Sequence, residues 1–207
     1  MHIYYNIISY NVQYSELALC RVILYYIVHM QPIDVLIVFL ILWVFGIVLM
    51  AVTSIFLRAP YVPTPMKVTR KMVAFADLKG DEVIYDLGAG DARLLIESKR
   101  THPNVTVTGF ELSPLVYLLG LFRIWQSRVK VKLMMKNFFH QDVSDADCVF
   151  LYLMPGAMKS LQKKFETELK PGTKIVSHAF KFPDRKPIKT MPVPWLKGKK
   201  TILLYEW

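Results

Sequence analysis

Val83-Ile84-Tyr85-Asp86-Leu87-Gly88-Ala89-Gly90-Asp91-Ala92-Arg93 is the stretch from which the rest of the chain is read. It opens as a short apolar run of the kind that forms a buried parallel strand, then closes on an acid followed by two glycines separated by one residue. A strand ending in this way is a ligand-binding turn. Gly88 and Gly90 let the backbone come close to a bound molecule where a Cβ would collide, and Ala92-Arg93-Leu94-Leu95-Ile96 can start a helix. A dinucleotide is the first ligand to consider. Its fingerprint needs a third glycine where Arg93 stands, and carboxylates at Asp86 and Asp91 would repel a pyrophosphate. The acids suit a cationic ligand better.

Downstream, Thr106-Val107-Thr108-Gly109-Phe110-Glu111 reads as the next strand, with its acid about twenty residues past Gly90, the spacing at which a second-strand carboxylate meets ribose hydroxyls. Around Asp86 to Ala92 the sequence resembles the first motif of the Rossmann-like, class I methyltransferases, with Ala92 in place of the last glycine. The resemblance implies S-adenosylmethionine, which carries a sulfonium, an ammonium group and a ribose diol.

Composition describes two materials. A hydrophobic share of 54% is high for a purely soluble domain, and 20% charged residues is high for a multi-span membrane protein. From Ile33 to Leu57 only Asp34 is charged, a length that at helical rise spans roughly 37 Å against a hydrocarbon core of about 30 Å. Residues 33–57 are therefore expected to cross a membrane. The sequence after Leu57 offers no good signal-peptide cleavage site. Arg58, Lys67, Arg70 and Lys71 follow the span, whereas Arg21 alone precedes it, so the positive-inside rule places the remainder in the cytoplasm. Residues 1–32 show no clean period and leave open an interfacial segment, a poor second span, or sequence upstream of a start at Met30.

From Arg58 onward lie all but one of the 26 Lys and Arg and all but two of the 16 Asp and Glu. Such a basic surface fits anionic lipid headgroups beside the anchor; without an RNA-binding aromatic signature, a nucleic-acid partner is not expected. Cys20 and Cys148 are too far apart to suggest a disulfide framework, the five histidines are scattered, and no metal is expected. Residues 58–65, with Pro60, Pro63 and Pro65, read as a stiff linker, and 66–207 as one domain. After a helix from Met66 to Leu78 the pattern is strand Val83–Leu87, helix Ala92–Arg100, strand Val105–Glu111, helix Leu115–Ser127, strands Val131–Met135 and Cys148–Leu153, helix Gly156–Leu169 and strand Lys174–Ser177. That succession predicts an α/β fold with a parallel doubly wound sheet. Lys189–Val193 and Thr201–Glu206 read as a closing hairpin whose second strand runs antiparallel at or near the edge.

Ligands of such sheets lie beyond the carboxyl ends of the strands. Those ends are Gly88 to Asp91, Glu111, Asn137-Phe138-Phe139, Leu153-Met154-Pro155 and His178-Ala179-Phe180. Asn137 can hydrogen-bond an adenine edge and Phe138 can stack on it; plain core packing is the competing role for the two phenylalanines. Tyr152-Leu153-Met154-Pro155 stands where amine-methylating members of the superfamily place the acceptor, without the Asp/Asn-Pro-Pro-Tyr tetrad of amide and nucleobase amine methylases. A lysine acceptor needs mainly alignment once its ammonium has lost a proton. Tyr152, Met154, Pro155 and His178 are the candidates for positioning it, with His178 either a base or a satisfied strand-end residue.

The resemblance then narrows. The expected span, Val62-Pro63-Thr64-Pro65, the Tyr85–Arg93 run, Val149-Phe150-Leu151-Tyr152-Leu153-Met154-Pro155, Leu169-Lys170-Pro171-Gly172-Thr173 and Val176-Ser177-His178-Ala179-Phe180 resemble the membrane-anchored protein-lysine methyltransferases, which in eukaryotes act on the adenine nucleotide translocase and the c-subunit of ATP synthase. The resemblance implies a seven-stranded Rossmann-like sheet after an N-terminal transmembrane helix, a bilayer and a membrane-associated protein substrate as partners, for a eukaryotic chain the mitochondrial inner membrane with the domain in the matrix, and S-adenosylmethionine held by Asp86, Gly88, Gly90, Asp91 and Glu111; Ala89, Arg93, Asn137 and Phe138 complete the expected cofactor set. A lipid or quinone acceptor, a nicotinamide-dependent oxidoreductase and a non-catalytic membrane scaffold are the alternatives.

Overall fold

The computed structural model describes Arg21 and residues 31–57, 61–195 and 198–207, with the side chains of 49–57 outside that description. Within it no helix is long and apolar enough to cross a membrane, so the described residues do not support the expected span over residues 33–57. Most of the segment 1–32, residues 58–60 of the linker and Leu196-Lys197 of the hairpin loop lie outside the described residues. The chain divides into two units between Leu49 and Met50.

Helix α1, Pro32–Leu57, begins in the first unit and ends in the second. Asp34 lies in its first turn, where its Oδ2 accepts from the Gln31 N–H at 2.9 Å and suits the positive end of the helix dipole. Leu36, Phe39, Trp43 and Phe45, on different sides of the helix, are all exposed.

The second unit holds helix α2 (Met66–Phe75), strand β1 (Val83–Leu87), helix α3 (Arg93–Thr101), strand β2 (Thr106–Phe110), helix α4 (Pro114–Ser127), strands β3 (Lys132–Met134) and β4 (Cys148–Leu151), helix α5 (Pro155–Glu168), and strands β5 (Lys174–His178), β6 (Lys189–Pro194) and β7 (Lys199–Glu206). The seven strands form one sheet in the order β3-β2-β1-β4-β5-β7-β6. β1 to β5 are parallel, and β7 pairs antiparallel with both β5 and β6. The hairpin forms as expected, with its second strand, β7, antiparallel and next to the edge, and its first strand, β6, forming the edge itself. The sequence explains this after the fact, because Ile202-Leu203-Leu204-Tyr205 is buried at every position whereas β6 carries Pro192 and Pro194 and exposes most of its residues.

Each face of the sheet has its own core. Ile84, Leu95, Val107, Phe150 and Ile202 pack with Val68 and Met72 of α2, with α3, and with Tyr117 and Ile124 of α4. Leu87, Phe110, Val149, Ile175 and Leu203 pack with Met158, Leu161 and Phe165 of α5. Burying one such side chain contributes about 1.5–3 kcal/mol. Between β3 and β4 the chain makes a short 3₁₀ turn, Phe138–His140, in which the Asn137 side chain accepts from the Phe139 N–H at 3.0 Å. Cys148 is wholly buried in β4, as a small core residue, and burial pushes its thiol pKa up.

Candidate active site

The turn after β1 is tied to the end of β2: the N–H groups of Gly88 and Ala89 both donate to the Phe110 carbonyl at 2.9 Å. To make this turn Gly88 takes φ 83° and Gly90 φ 57°, values that side chains disfavour. Space is short as well. A Cβ at Gly88 would lie 3.0 Å from Leu153 Cδ2, and one at Gly90 3.2 Å from the Tyr61 ring. The third position of the motif shares the conformation, since Ala92 caps α3 with φ 61° and ψ 13°. Left-handed backbone costs a residue with a Cβ about 1–2 kcal/mol, partly offset by glycine's larger unfolded-state entropy of about 0.4–1 kcal/mol. Ala92→Gly is therefore expected to stabilise the protein by roughly 0.5–1 kcal/mol. A denaturation midpoint unchanged or lowered against the parent would refute the strain.

The three acids do different things. Both oxygens of Glu111 accept backbone bonds, Oε2 from the Gly90 N–H at 2.9 Å and Oε1 from the Ser113 N–H at 2.8 Å, so the carboxylate braces the turn at the tip of β2. Asp91, 4% exposed, is matched by cations: Arg93 Nε and Nη2 donate to it at 2.7 and 2.6 Å, and Arg123 Nη2 lies 2.9 Å away. Burial raises the Asp91 pKa, but Arg93 and Arg123 more than offset this and hold it below the ordinary value. Arg93 also donates to the Thr64 carbonyl, fastening the end of the linker to the turn. The expectation that Asp86 and Asp91 together present bare negative charge is corrected in this respect, because Asp91 is already paired.

Asp86 is the unmatched one. It is 6% exposed and has no cation beside it among the described residues. Burial, with smaller repulsion from Glu111 and Asp91, pushes its pKa up to about 8. A buried carboxyl without a counter-ion, beside two glycines whose missing side chains leave a cradle, fits a ligand that brings its own positive charge.

Asp86, Gly88, Ala89, Gly90, Asp91, Arg93, Glu111, Asn137 and Phe138 all line one cavity of about 780 Å³, within the usual range for small-molecule sites. Tyr152 and Met154 line it too. Pro155 and His178 do not: Pro155 starts α5, and His178 is fully buried behind the wall, its ring 4.4 Å from Tyr152 and 4.8 Å from Trp195 between centroids. Neither His178 nitrogen has a hydrogen-bond partner among the described residues. Burial, and then the charge of Lys200, lower its pKa to about 4. It is a neutral imidazole at physiological pH.

Among the cavity residues that the sequence reading did not single out are Tyr61, Trp195 and Lys200. Tyr61, from the supposed linker, covers Gly90, and burial, with the nearby charge of Asp91, raises its phenol pKa to about 12. Phe180, Trp195 and Lys200 close the wall beside Tyr152. Lys200 Nζ donates to the Tyr152 hydroxyl at 2.9 Å and lies 4.4 Å from the Trp195 ring centroid, 5.1 Å from that of Tyr152 and 5.8 Å from that of Phe180. Aromatic faces at these distances attract a cation. Phe180 was already placed there by the sequence, just past the end of β5.

Over residues 86–189, the turn and strand ends described above, the chain matches the ANTKMT methyltransferase domain. The chain belongs to this family. It is 34% identical over 150 residues to a protein-lysine N-methyltransferase of Saccharolobus islandicus (strain REY15A), covering 72% of this chain and 93% of that one. It is 26% identical to the lysine N-methyltransferase that in Homo sapiens is named for the C-subunit of ATP synthase, over 126 residues, 60% of this chain and 53% of the human one. Among solved structures, an RNA methyltransferase from Salinibacter ruber in complex with S-adenosyl-L-homocysteine aligns with a TM-score of 0.64 and 31% identity, covering 70% of this chain and 93% of that chain. This family member is an S-adenosylmethionine-dependent methyltransferase with a Rossmann-like seven-stranded sheet. The nicotinamide alternative is thereby set aside.

Proposed function

We propose that the chain transfers a methyl group from S-adenosylmethionine to a lysine side chain of a protein at the membrane. The observation that carries the lysine reading is the ammonium of Lys200 ringed by Tyr152, Phe180 and Trp195 in the wall of the cofactor cavity. A wall that holds one alkylammonium suits another. The names of the archaeal and human relatives support it, as does Tyr152-Leu153-Met154-Pro155 in place of an Asp/Asn-Pro-Pro-Tyr tetrad.

The cofactor, when bound, supplies an electrophilic methyl on a sulfonium. Asp86 is the group for its positive charge, Glu111 for the ribose diol, and Asn137 with Phe138 for the adenine; Gly88 and Gly90 let it lie against the backbone. Tyr152 and its aromatic neighbours hold the acceptor nitrogen in line. With no carboxylate in that part of the wall among the described residues, proton loss before attack is to solvent.

An RNA acceptor is the second reading, favoured by the name of the Salinibacter structure. Incubating the protein with methyl-labelled cofactor and a lysate, then digesting separately with nuclease and protease, distinguishes the two. Label surviving nuclease and mapping to lysine is expected; label confined to nuclease-sensitive material would overturn the lysine assignment.

Anchoring belongs to the same proposal. In sequence, Ile33 to Leu57 carries Asp34 as its one charged residue, and that apolar composition supports an anchor although no helix among the described residues is long and apolar enough to cross a membrane. A helix that is apolar on all sides finds its partner in lipid or in a large core. Independently, helix α4 exposes Leu118, Leu119, Phe122 and Trp125, with Arg128, Lys130, Lys132 and Lys136 following, a combination suited to an anionic bilayer surface. Orientation follows the basic flank, with the catalytic domain on the cytoplasmic side. The chain is expected to stay with membranes in alkaline carbonate; release into the supernatant would remove the anchor.

A further inference from the structure

We infer that Lys200 is itself a methyl acceptor of this enzyme. The inference rests on the lysine reading above and adds an internal target to it. Lys200 is half-buried, lines the same cavity as Asp86 and Glu111, and points its Nζ at the Tyr152 hydroxyl between three aromatic rings. A buried cation is normally paired with a carboxylate. Among the described residues none is within ion-pair reach of Lys200, although Asp147 and Glu168 each have a lysine of their own. The arrangement has the features of an acceptor subsite: one hydrogen-bonding oxygen to orient nitrogen, and π faces that favour a cation whether or not it carries methyl groups. Behind it, the buried and unpartnered imidazole of His178 rigidly backs the Tyr152 and Trp195 rings.

The step balances simply. Lys200 gives a proton to solvent, and its Nζ lone pair forms the new N–C bond while the C–S bond breaks. Both electrons of that bond return to sulfur, leaving neutral S-adenosylhomocysteine. The methylated amine takes up a proton again and remains a cation in its aromatic ring.

Two measurements on the full chain in detergent test this. With cofactor absent, acetylation by acetic anhydride, read by peptide mass, is expected to modify Lys200 at least tenfold more slowly than its exposed neighbour Lys199, and Trp195→Ala is expected to remove that difference. Equal reactivity in the parent would overturn the caged ammonium. With methyl-deuterated S-adenosylmethionine, label is expected on Lys200 at a rate per molecule that does not change on tenfold dilution, and none at that position in Lys200→Arg. Cofactor binding by calorimetry with Lys200 left unlabelled overturns this inference alone, as does a rate that falls with dilution. Loss of cofactor binding in the parent overturns the proposed function and this inference with it.

Discussion

Asp86→Asn is expected to make the cofactor-free protein more stable at alkaline pH and at the same time to weaken S-adenosylmethionine binding about a hundredfold or more. The sign follows from the raised pKa. Asp86 titrates at about 8 in the folded protein and near 3.9 when unfolded, so the folded state holds the proton more tightly. Its contribution to stability is fully present below about pH 4 and is lost progressively as pH rises through about 8. His178 acts in the opposite sense. Its folded value of about 4 lies below the ordinary 6.5, so stability linked to it is present above about pH 6.5 and lost as pH falls through about 4. Comparing variant with parent separates the two. At pH 9 the difference should be on the order of 5 kcal/mol in favour of the Asp86→Asn variant, and at pH 4 close to zero. Bound to a sulfonium and an ammonium, the parent must ionise Asp86, so its affinity should climb with pH to about 8 and binding should release a proton. Calorimetry in buffers of different ionisation enthalpy measures that release. A parent whose affinity and proton release ignore pH would place the cofactor's charge elsewhere.

The second large effect is expected at Glu111. Its two oxygens accept from Gly90 and Ser113, and their remaining lone pairs face the cavity where a ribose diol would lie. Hydrogen bonds to a charged group contribute about 1.5–3 kcal/mol each, so Glu111→Ala should raise the cofactor dissociation constant tenfold or more. Loss of the brace adds to that by leaving two N–H groups of the turn without their acceptor. Glu111→Gln keeps one oxygen as acceptor and should fall between the two. If both variants bind the cofactor like the parent, Glu111 is only a strut for the turn.

Val83–Leu87 was legible as a buried strand because its apolar run is a local property, and Gly88 and Gly90 marked the turn because the need for positive φ is local too. The spacing to Glu111 carried the second strand end for the same reason: one βα unit has a nearly constant length, so a short count of residues predicts a place in space. The parallel order of the first five strands followed from the alternation of elements, and most of the cavity's cofactor half followed from that order.

Whatever depends on partners far apart in the chain could not be read in this way. Asp91 looked like a bare acid until Arg123, on α4, came within 2.9 Å of it. Asp86 acquires its raised pKa from what is packed around it, while its sequence position matches that of an ordinary acid. His178 stands at a strand end, yet burial behind Tyr152 and Trp195 takes it out of the cavity. Tyr61 left the linker to cover Gly90. Lys200 and Trp195 reached Tyr152 only because β7 inserted between β5 and β6, carrying their hairpin to the carboxyl end of the parallel strands. Short-range sterics and periodicity settle where strands begin and turns bend, and these are written in consecutive residues. Charge matching, desolvation and the shape of the acceptor wall arise between segments brought together by folding.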